Sequence, residues 1–299
     1  MFSHTRNDAL IACDHHVENA NSYNEEDFPF LTAELGGGLQ VTMHRRPVAK
    51  GCDVGAMSTV KMGSGAGLLG YYMYHGGSNP KGKLSTLQES RATGYLNDLP
   101  EINYDFNAPI RQYGTISDSY REIKLLALFL NDFGEDMASL RSEIPTIRIL
   151  PGDMHTVRTA CRHDADHGYV FFNNYQRRWK MDDHPQVKLE GLLDGKASVG
   201  FPAFDLKGEC MDFFRQYEAK RCGSQTALAT PLCVLHTKKG DAFVFYGDLD
   251  PQIQWEGDAR AELCLISRQE ALNAWKCIWI RIISFFPKIM SGKKTVSLL

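Results

Sequence analysis

The first half of the chain combines short apolar runs with helically spaced apolar residues, which predicts two strand–helix units. Residues 28–34 form an apolar run typical of a short buried strand, and the aromatic run at 70–75 predicts a second strand. Between them, residues 48–69 are rich in Ala, Met, Leu and Gly, as in a packed helix. Over 118–133 apolar residues recur at helical spacing, and Gly134 is the predicted C-cap. Parallel strands need such crossovers, so this order predicts an α/β portion.

The pattern changes after about Pro145 to short apolar runs separated by turn residues. Runs at 155–163 and 169–176 flank a polar turn and predict a hairpin, and the runs at 231–237 and 242–248 repeat the arrangement. Residues 254–267 add one or two more strands. This half is therefore predicted to be all-β and sandwich-like.

These patterns divide the chain into four parts. We expect an irregular polar leader at 1–27, an α/β portion at 28–137, a β-rich region at 145–276 and a tail at 277–299. The tail changes composition abruptly, which a frame change or gene break would explain. It is interpreted as a disordered or misfit end, or alternatively as an interfacial anchor that brings its lysines to lipid headgroups.

Composition removes several classes of function. The 299 residues are 43% hydrophobic and 23% charged, as in a folded globular protein. The 33 basic and 36 acidic residues leave no net basic field, so nucleic-acid binding has no electrostatic support. Since no apolar run reaches the roughly 18 residues of a membrane span, no membrane partner is predicted either.

The chain start and the cysteines bear on the compartment. No charged region followed by an apolar core opens the sequence, so no signal peptide is predicted. The eight cysteines form no CxxC pair, and a chain of this length does not need disulfides. We expect free thiols in a reducing, cytoplasmic compartment. A Cys210–Cys222 bridge stays open, as do the oligomeric state and the compartment of a longer parent protein.

Two motifs have the wrong context for a cofactor. The GxGxxG match at 65–70 follows a predicted helix and precedes a predicted strand, the reverse of a dinucleotide site. Cys161, His163 and His167 could in principle hold zinc, but a fourth ligand is missing and they flank a predicted hairpin tip. We therefore predict neither a metal nor an organic cofactor.

One carboxylate stands where catalytic groups are often found. Glu34 ends the first predicted strand and is followed closely by three glycines, at 36–38. The carboxyl ends of parallel strands are where α/β barrels place their catalytic residues, and glycines allow a tight turn and close ligand approach. A surface-loop glutamate, or a charge at a helix N-terminus, is the alternative interpretation.

Aromatic residues beside hydrogen-bonding groups strengthen the first interpretation. Period-two geometry directs Tyr72 and Tyr74 to one face of the second strand. Residues 103–110 then supply further aromatics next to Asn and Asp. A sugar site combines these features, because apolar ring faces cover the C–H side of a pyranose while polar groups bind its hydroxyls. Core packing is the alternative for each tyrosine.

Several motifs together resemble one enzyme family. The resemblance runs from about residue 28 to 136 and is carried, in order, by TAELGGGLQVTMHRRP (32–47), GYYMYHGGSNP (70–80), LQES (87–90), NDLP (97–100) and YDFNAPIRQYG (104–114). These stretches resemble glycoside hydrolase family 35, the β-galactosidases. A weaker similarity continues at GYVFFNNYQR (168–177) and FVFYGD (243–248).

This resemblance implies the C-terminal part, strands 7 and 8 with their helices, of a TIM (β/α)8 barrel, followed by a β-sandwich-like region. It implies a retaining β-galactosidase acting on terminal non-reducing β-D-galactosyl residues, whose nucleophile matches Glu34. The sugar-contacting tyrosines match Tyr72 and Tyr104. A further family tyrosine is Phe106 here, and a tryptophan common in the family is Leu39. Both departures bear on the detail of the sugar subsite.

The family's acid/base matches no residue of this sequence. It belongs well upstream of the nucleophile, and the residues preceding Glu34 offer only Glu18, Glu25 and Glu26, none of them in an apolar strand. We therefore expect an N-terminally truncated chain that is inactive alone. Two alternatives stay open, namely a noncatalytic galactoside-binding or interaction module, and half of an enzyme completed by another chain.

Overall fold

A computed structural model describes most of the chain. The described residues are 1–4, 24–42, 44–83, 101–147, 149–150, 152–164, 167–193, 197–208, 213–216, 224–237, 239–247, 253–255, 262–277 and 282–285. The pair Cys210 and Cys222 lies outside them, as do the final residues from 286.

The α/β portion begins with two parallel strands joined by a helix. Strand β1 (Leu31–Leu35) leads through the glycine turn to helix α1 (Gly51–Gly63) and strand β2 (Leu68–Tyr71), which pairs with β1 in parallel. After two short strands comes the long helix α2 (Asp118–Ala138). The two short strands form an antiparallel pair, β3 (Gly77–Ser78) with β4 (Asn103–Tyr104). The predicted order of strand, helix, strand and helix is therefore observed.

Three predicted boundaries were wrong. The helix predicted over 48–69 ends at Gly63, and Leu68 and Leu69 belong to β2. The second strand ends at Tyr71, so Tyr72 and Tyr74 lie in the turns that follow it. Gly134 does not cap α2, which continues to Ala138, because Met137 and Leu140 extend its buried face and are only 2% and 4% exposed. The GxGxxG match begins after a helix, as expected, but its last three residues lie within β2 and not before it.

Strands dominate the chain after α2. Six antiparallel strands form the largest sheet, in the order β16 (Ile253–Trp255), β13 (Ser224–Ala227), β12 (Phe213–Gln216), β7 (Gly168–Phe172), β6 (Thr159–His163) and β5 (Arg141–Glu143). A second sheet has the order β14 (Thr230–Thr237), β15 (Gly240–Tyr246) and β17 (Glu262–Ile266). Two further pairs are β8 (His184–Val187) with β11 (Phe204–Leu206) and β9 (Glu190–Leu193) with β10 (Ala197–Gly200). Both predicted hairpins are observed, as β6–β7 and β14–β15.

The end of the β-rich region is less uniform than predicted. A short helix, α3 (Arg268–Asn273), follows β17 and is capped by Ser267, whose hydroxyl accepts from the Glu270 amide. Strand β18 (Ala274–Cys277) then pairs antiparallel with β19 (Ile282–Phe285). The first residues of the predicted tail, expected to be disordered, thus form a strand pair. No helix in the described residues is both long and apolar enough to span a membrane.

The α/β and β portions share one hydrophobic core. Phe129 and Phe133 of α2 stack with ring centroids 5.4 Å apart, and Phe129 meets Tyr169 of β7 edge to face. Phe243 and Phe245 of β15 complete the same cluster. Even Phe2, in the predicted irregular leader, is buried in it. Neither portion therefore buries its apolar face alone.

A buried arginine adds a polar link between the portions. Arg162 of β6 is 2% exposed, and its guanidinium donates to carbonyls at the C-terminal ends of both long helices. The acceptors are Ala66 O at 3.0 Å after α1 and Leu140 O at 3.2 Å after α2. Helix ends leave such carbonyls without partners, so one side chain satisfies two ends at once.

Candidate functional site

Glu34 is the penultimate residue of β1, and its side chain is exposed. In the described part of the chain no hydrogen bond or ion pair occupies this carboxylate. It is therefore free to contact a ligand, as a nucleophile or a recognition group must be.

The glycines after Glu34 bring the turn against two other segments. A Cβ on Gly37 would lie 2.6 Å from the Met73 carbonyl oxygen, and one on Gly38 would overlap the Phe106 carbonyl oxygen. Real Cβ atoms do not approach backbone that closely, so Gly37 and Gly38 are required by contact. The turn thus joins the end of β1 to the residues after β2 and after β4.

Three aromatic residues meet beside this turn. The hydroxyls of Tyr72 and Tyr104 are 2.5 Å apart and hydrogen-bonded. Phe106 contacts both rings, with centroids 4.5 Å from Tyr104 and 5.9 Å from Tyr72. Phe106 is buried while Tyr72 is 39% exposed. The group presents a phenol surface to solvent over an apolar base, and we call these three residues the aromatic trio.

The ionisation of Tyr72 reflects this environment. The hydrogen bond with Tyr104 raises the pKa of Tyr72 to about 12, with smaller contributions from burial, from the Tyr104 charge and from the Glu34 carboxylate. A negative charge disfavours a phenolate nearby, so the Glu34 contribution links the predicted nucleophile to the predicted sugar-binding tyrosine. Tyr72 is therefore protonated at neutral pH.

A salt bridge fixes the loop that carries Tyr104 and Phe106. Asp105 is 8% exposed and pairs with Arg111 at 2.8 Å. Its carboxylate also accepts a hydrogen bond from the backbone N–H of Gln112 at 2.5 Å. Phe106 itself has φ of 51°, in the left-handed region. The Asp105 carboxylate is committed to holding the loop and is not a candidate acid or base.

Three polar side chains lie beside Tyr104, and the sequence pointed to Asn103 among them but not to Ser78 or Gln112. The side-chain amide of Gln112 donates a hydrogen bond to the Ser78 hydroxyl and accepts one from the side-chain amide of Asn103 at 2.5 Å. Ser78 and Asn103 are exposed and lie on β3 and β4, the strand that ends at Tyr104. These side chains come together only because β3 and β4 pair, and no local sequence pattern predicts that pairing.

Other predicted residues lie elsewhere. Tyr74 packs toward Tyr71 and Tyr120, with centroids 6.2 and 6.3 Å away, and so belongs to the packing against α2. A cavity of about 1250 Å³ opens between the N-terminal ends of α1 and α2 and the end of α3. Neither Glu34 nor any member of the aromatic trio lines that cavity.

The suspected zinc ligands are only partly assembled. His167 binds Asp136 at 2.8 Å and Asp164 at 3.0 Å, and thus links the β6–β7 hairpin to α2. Cys161 and His163 instead gather with Glu143 of β5. The described cysteines at 52, 161, 233 and 264 are free thiols, as predicted.

Comparison of the sequence with protein-family models and with curated proteins found no match for this chain.

Proposed function

We propose that Glu34 and the aromatic trio form part of a galactoside site of the retaining β-galactosidase type, with Glu34 as the nucleophile. The observation that supports this most directly is the Tyr72–Tyr104 hydroxyl pair beside an unoccupied carboxylate, over the buried ring of Phe106. The sequence resemblance to glycoside hydrolase family 35 supports the same assignment through motifs at these positions.

The proposed chemistry follows from the groups present. The Glu34 carboxylate attacks the anomeric carbon and the bond to the leaving oxygen breaks, which gives a glycosyl ester on the enzyme. Tyr72 and Tyr104 form hydrogen bonds with sugar hydroxyls, one of them as acceptor while their own hydroxyl pair is kept, and Phe106 supports their rings. No metal or organic cofactor is part of this proposal.

A retaining glycosidase also needs an acid to protonate the leaving oxygen, about 5 Å from the nucleophile. In the resembling family this residue belongs to a stretch that matches nothing in this sequence. Asp105, the one buried carboxylate of the loop, is already paired with Arg111. We therefore propose that the chain alone forms the glycosyl ester only when the leaving group needs no proton.

Noncatalytic galactoside binding is the second candidate. The polar side chains of Ser78, Asn103 and Gln112 beside Tyr104 favour it, since they offer hydroxyl recognition without any second carboxylate. An enzyme completed by another chain is the third. Among the described residues β1 pairs only with β2, so its other edge offers a place for an added strand.

An activated fluorosugar separates these candidates. A 2-deoxy-2-fluoro-β-galactoside with a dinitrophenolate leaving group needs no general acid, and its glycosyl ester hydrolyses slowly. Incubation of the full chain, followed by peptide mass spectrometry, should show one added fluorogalactosyl group on Glu34. The variant Glu34→Gln should remain unlabelled.

Glu101→Gln is the matched control, because Glu101 is an exposed carboxylate near the same loop. It should label as the parent chain does. Galactose binding detected by calorimetry without any labelling would instead support the noncatalytic module. Turnover that appears only with an added chain carrying the acid, and survives in Glu34→Gln, would contradict the nucleophile assignment.

A further inference from the structure

Three chemically different donor side chains meet at the edge of the six-stranded sheet, away from Glu34. Glu143 of β5 lies directly opposite Cys161 of β6 in the antiparallel register, and His163 follows two residues along β6 on the same face. Their sulfur, nitrogen and oxygen donor atoms lie within 4.8 Å of one another. From this cluster we infer a metal-binding site, independent of the proposed galactoside chemistry, that takes zinc through Glu143, Cys161 and His163.

The orientation of His163 supports this inference. Its Nδ1 lies 3.0 Å from the Asp164 carbonyl oxygen, which can only accept, so Nδ1 carries a proton. Its Nε2 faces Glu143 Oε1 at 3.2 Å, so a histidine nitrogen and a carboxylate oxygen are aimed at one another. Histidine ligands of metals commonly donate their other N–H to a backbone carbonyl in this way.

The spacing and burial also fit. Two ligand atoms about 2.0 Å from a tetrahedral zinc lie roughly 3.3 Å apart, close to the observed separation of Nε2 and Oε1. Cys161 is half-buried and His163 is 7% exposed, so these two donors are held by the sheet. Glu143 is exposed, and its side chain can close the remaining gap.

The donor set selects the metal. Thiolate and imidazole favour zinc over magnesium or calcium, which prefer oxygen ligands. Three protein ligands leave the fourth tetrahedral position to solvent. Burial, and to a smaller extent the Glu143 carboxylate, raises the pKa of the Cys161 thiol to about 11. On binding, the S–H bond breaks, the sulfur keeps the electron pair and donates it to zinc, and the proton passes to the buffer.

Arg141 is the opposing charge near the site. Its Nε lies 3.7 Å from Glu143 Oε1, and both side chains are 59% exposed. An exposed pair of this kind contributes little and can be displaced by a divalent ion. The ion would then tie β5, the edge strand, to β6.

Cobalt is the probe, because a thiolate–cobalt bond gives a near-ultraviolet charge-transfer band. The full chain is stripped with a chelator and titrated with Co²⁺. We expect a band that saturates at one equivalent and disappears when zinc is added. Cys161→Ser should lose the band, and Glu143→Gln should weaken cobalt binding by about tenfold or more.

The matched control is the double variant Glu262→Gln, Cys264→Ser. These residues are also a glutamate and a cysteine, two positions apart on the single strand β17, and in the described part of the chain no histidine gathers with them. The control should keep the full band and affinity. A folded parent chain without the band, a band that persists in Cys161→Ser, or an equal loss in the control would each overturn the site. Since Glu143 is exposed, Glu143→Gln keeps the test decisive if Cys161→Ser folds poorly.

Discussion

Tyr72 holds its proton more tightly than an ordinary tyrosine, and this gives a pH dependence that can be measured. Its pKa is raised to about 12, first by the hydrogen bond with Tyr104, whereas the unfolded chain has the usual value near 10. A raised pKa means that the stability contribution is present in full below about pH 10 and is lost as pH rises toward 12.

We therefore expect chemical unfolding to become easier between pH 10 and 12, in step with tyrosinate absorbance. Tyr71 shares this window, because burial raises its pKa to about 12 as well. Tyr72→Phe should reduce the alkaline loss without removing it. Tyr113→Phe, at a side chain 85% exposed, should leave the curve unchanged. The same effect from both variants would argue against the coupling to Tyr104.

At the level of residues, the sequence predicted some side-chain contacts and missed others. The motif resemblance grouped Tyr72, Tyr104 and Phe106, and the structure places them in contact. It did not predict that Asp105 would be bound by Arg111, or that Glu143 would lie opposite Cys161. These contacts depend on loop geometry and strand register, which bring together residues with no shared local pattern.

At the level of elements, the turn after β1 depends on individual glycines. Gly38→Ala places a methyl group against the Phe106 carbonyl, so we expect a loss of about 1–3 kcal/mol in unfolding free energy. Gly36→Ala is the matched control in the same turn, since its nearest atoms lie 3.7 Å or more away. Denaturant melts of the two variants provide the measurement. If the two variants had equal unfolding free energies, the loop that carries Phe106 would be able to move away from the added methyl group without loss of stability.

The same scale shows why element boundaries were harder to predict than elements. Helix α2 begins at Asp118, where the apolar spacing placed it. The predicted end of α2 was wrong because glycine is the residue type most common at helix C-caps, whereas burial of Met137 and Leu140 favours a helix that continues past Gly134. Tertiary burial decided the outcome over local propensity. Likewise, the residues that follow β2 are aromatic and have strand propensity, but they form a turn that contacts the glycines after β1.

At the level of the whole molecule, Arg162 should behave as a link between the two portions. Replacing it by Met leaves carbonyls at the ends of α1 and α2 without a donor, and each unsatisfied buried group is costly. We expect Arg162→Met to lower the unfolding free energy by about 2 to 3 kcal/mol. The unfolding transition should remain single, because the core is shared.

Arg141→Met is the control for Arg162→Met, and it tests whether the loss of any arginine from this sheet lowers the unfolding free energy equally. Arg141 lies on the neighbouring strand with its side chain 59% exposed, so its loss should change stability by about 0.5 kcal/mol or less. Two separate transitions in the parent chain, one for each portion, would contradict the shared core and the role given to Arg162.

The shared core also sets an order of events during synthesis. Phe129 and Phe133 emerge from the ribosome long before Phe243 and Phe245, the residues of β15 that cover them. At a translation rate of about 5–20 residues per second, the apolar face of α2 waits roughly ten seconds for its partners. Throughout that interval the nascent chain presents a ready binding surface for chaperones, so soluble yield in a cell should depend on chaperone supply and on the speed of elongation.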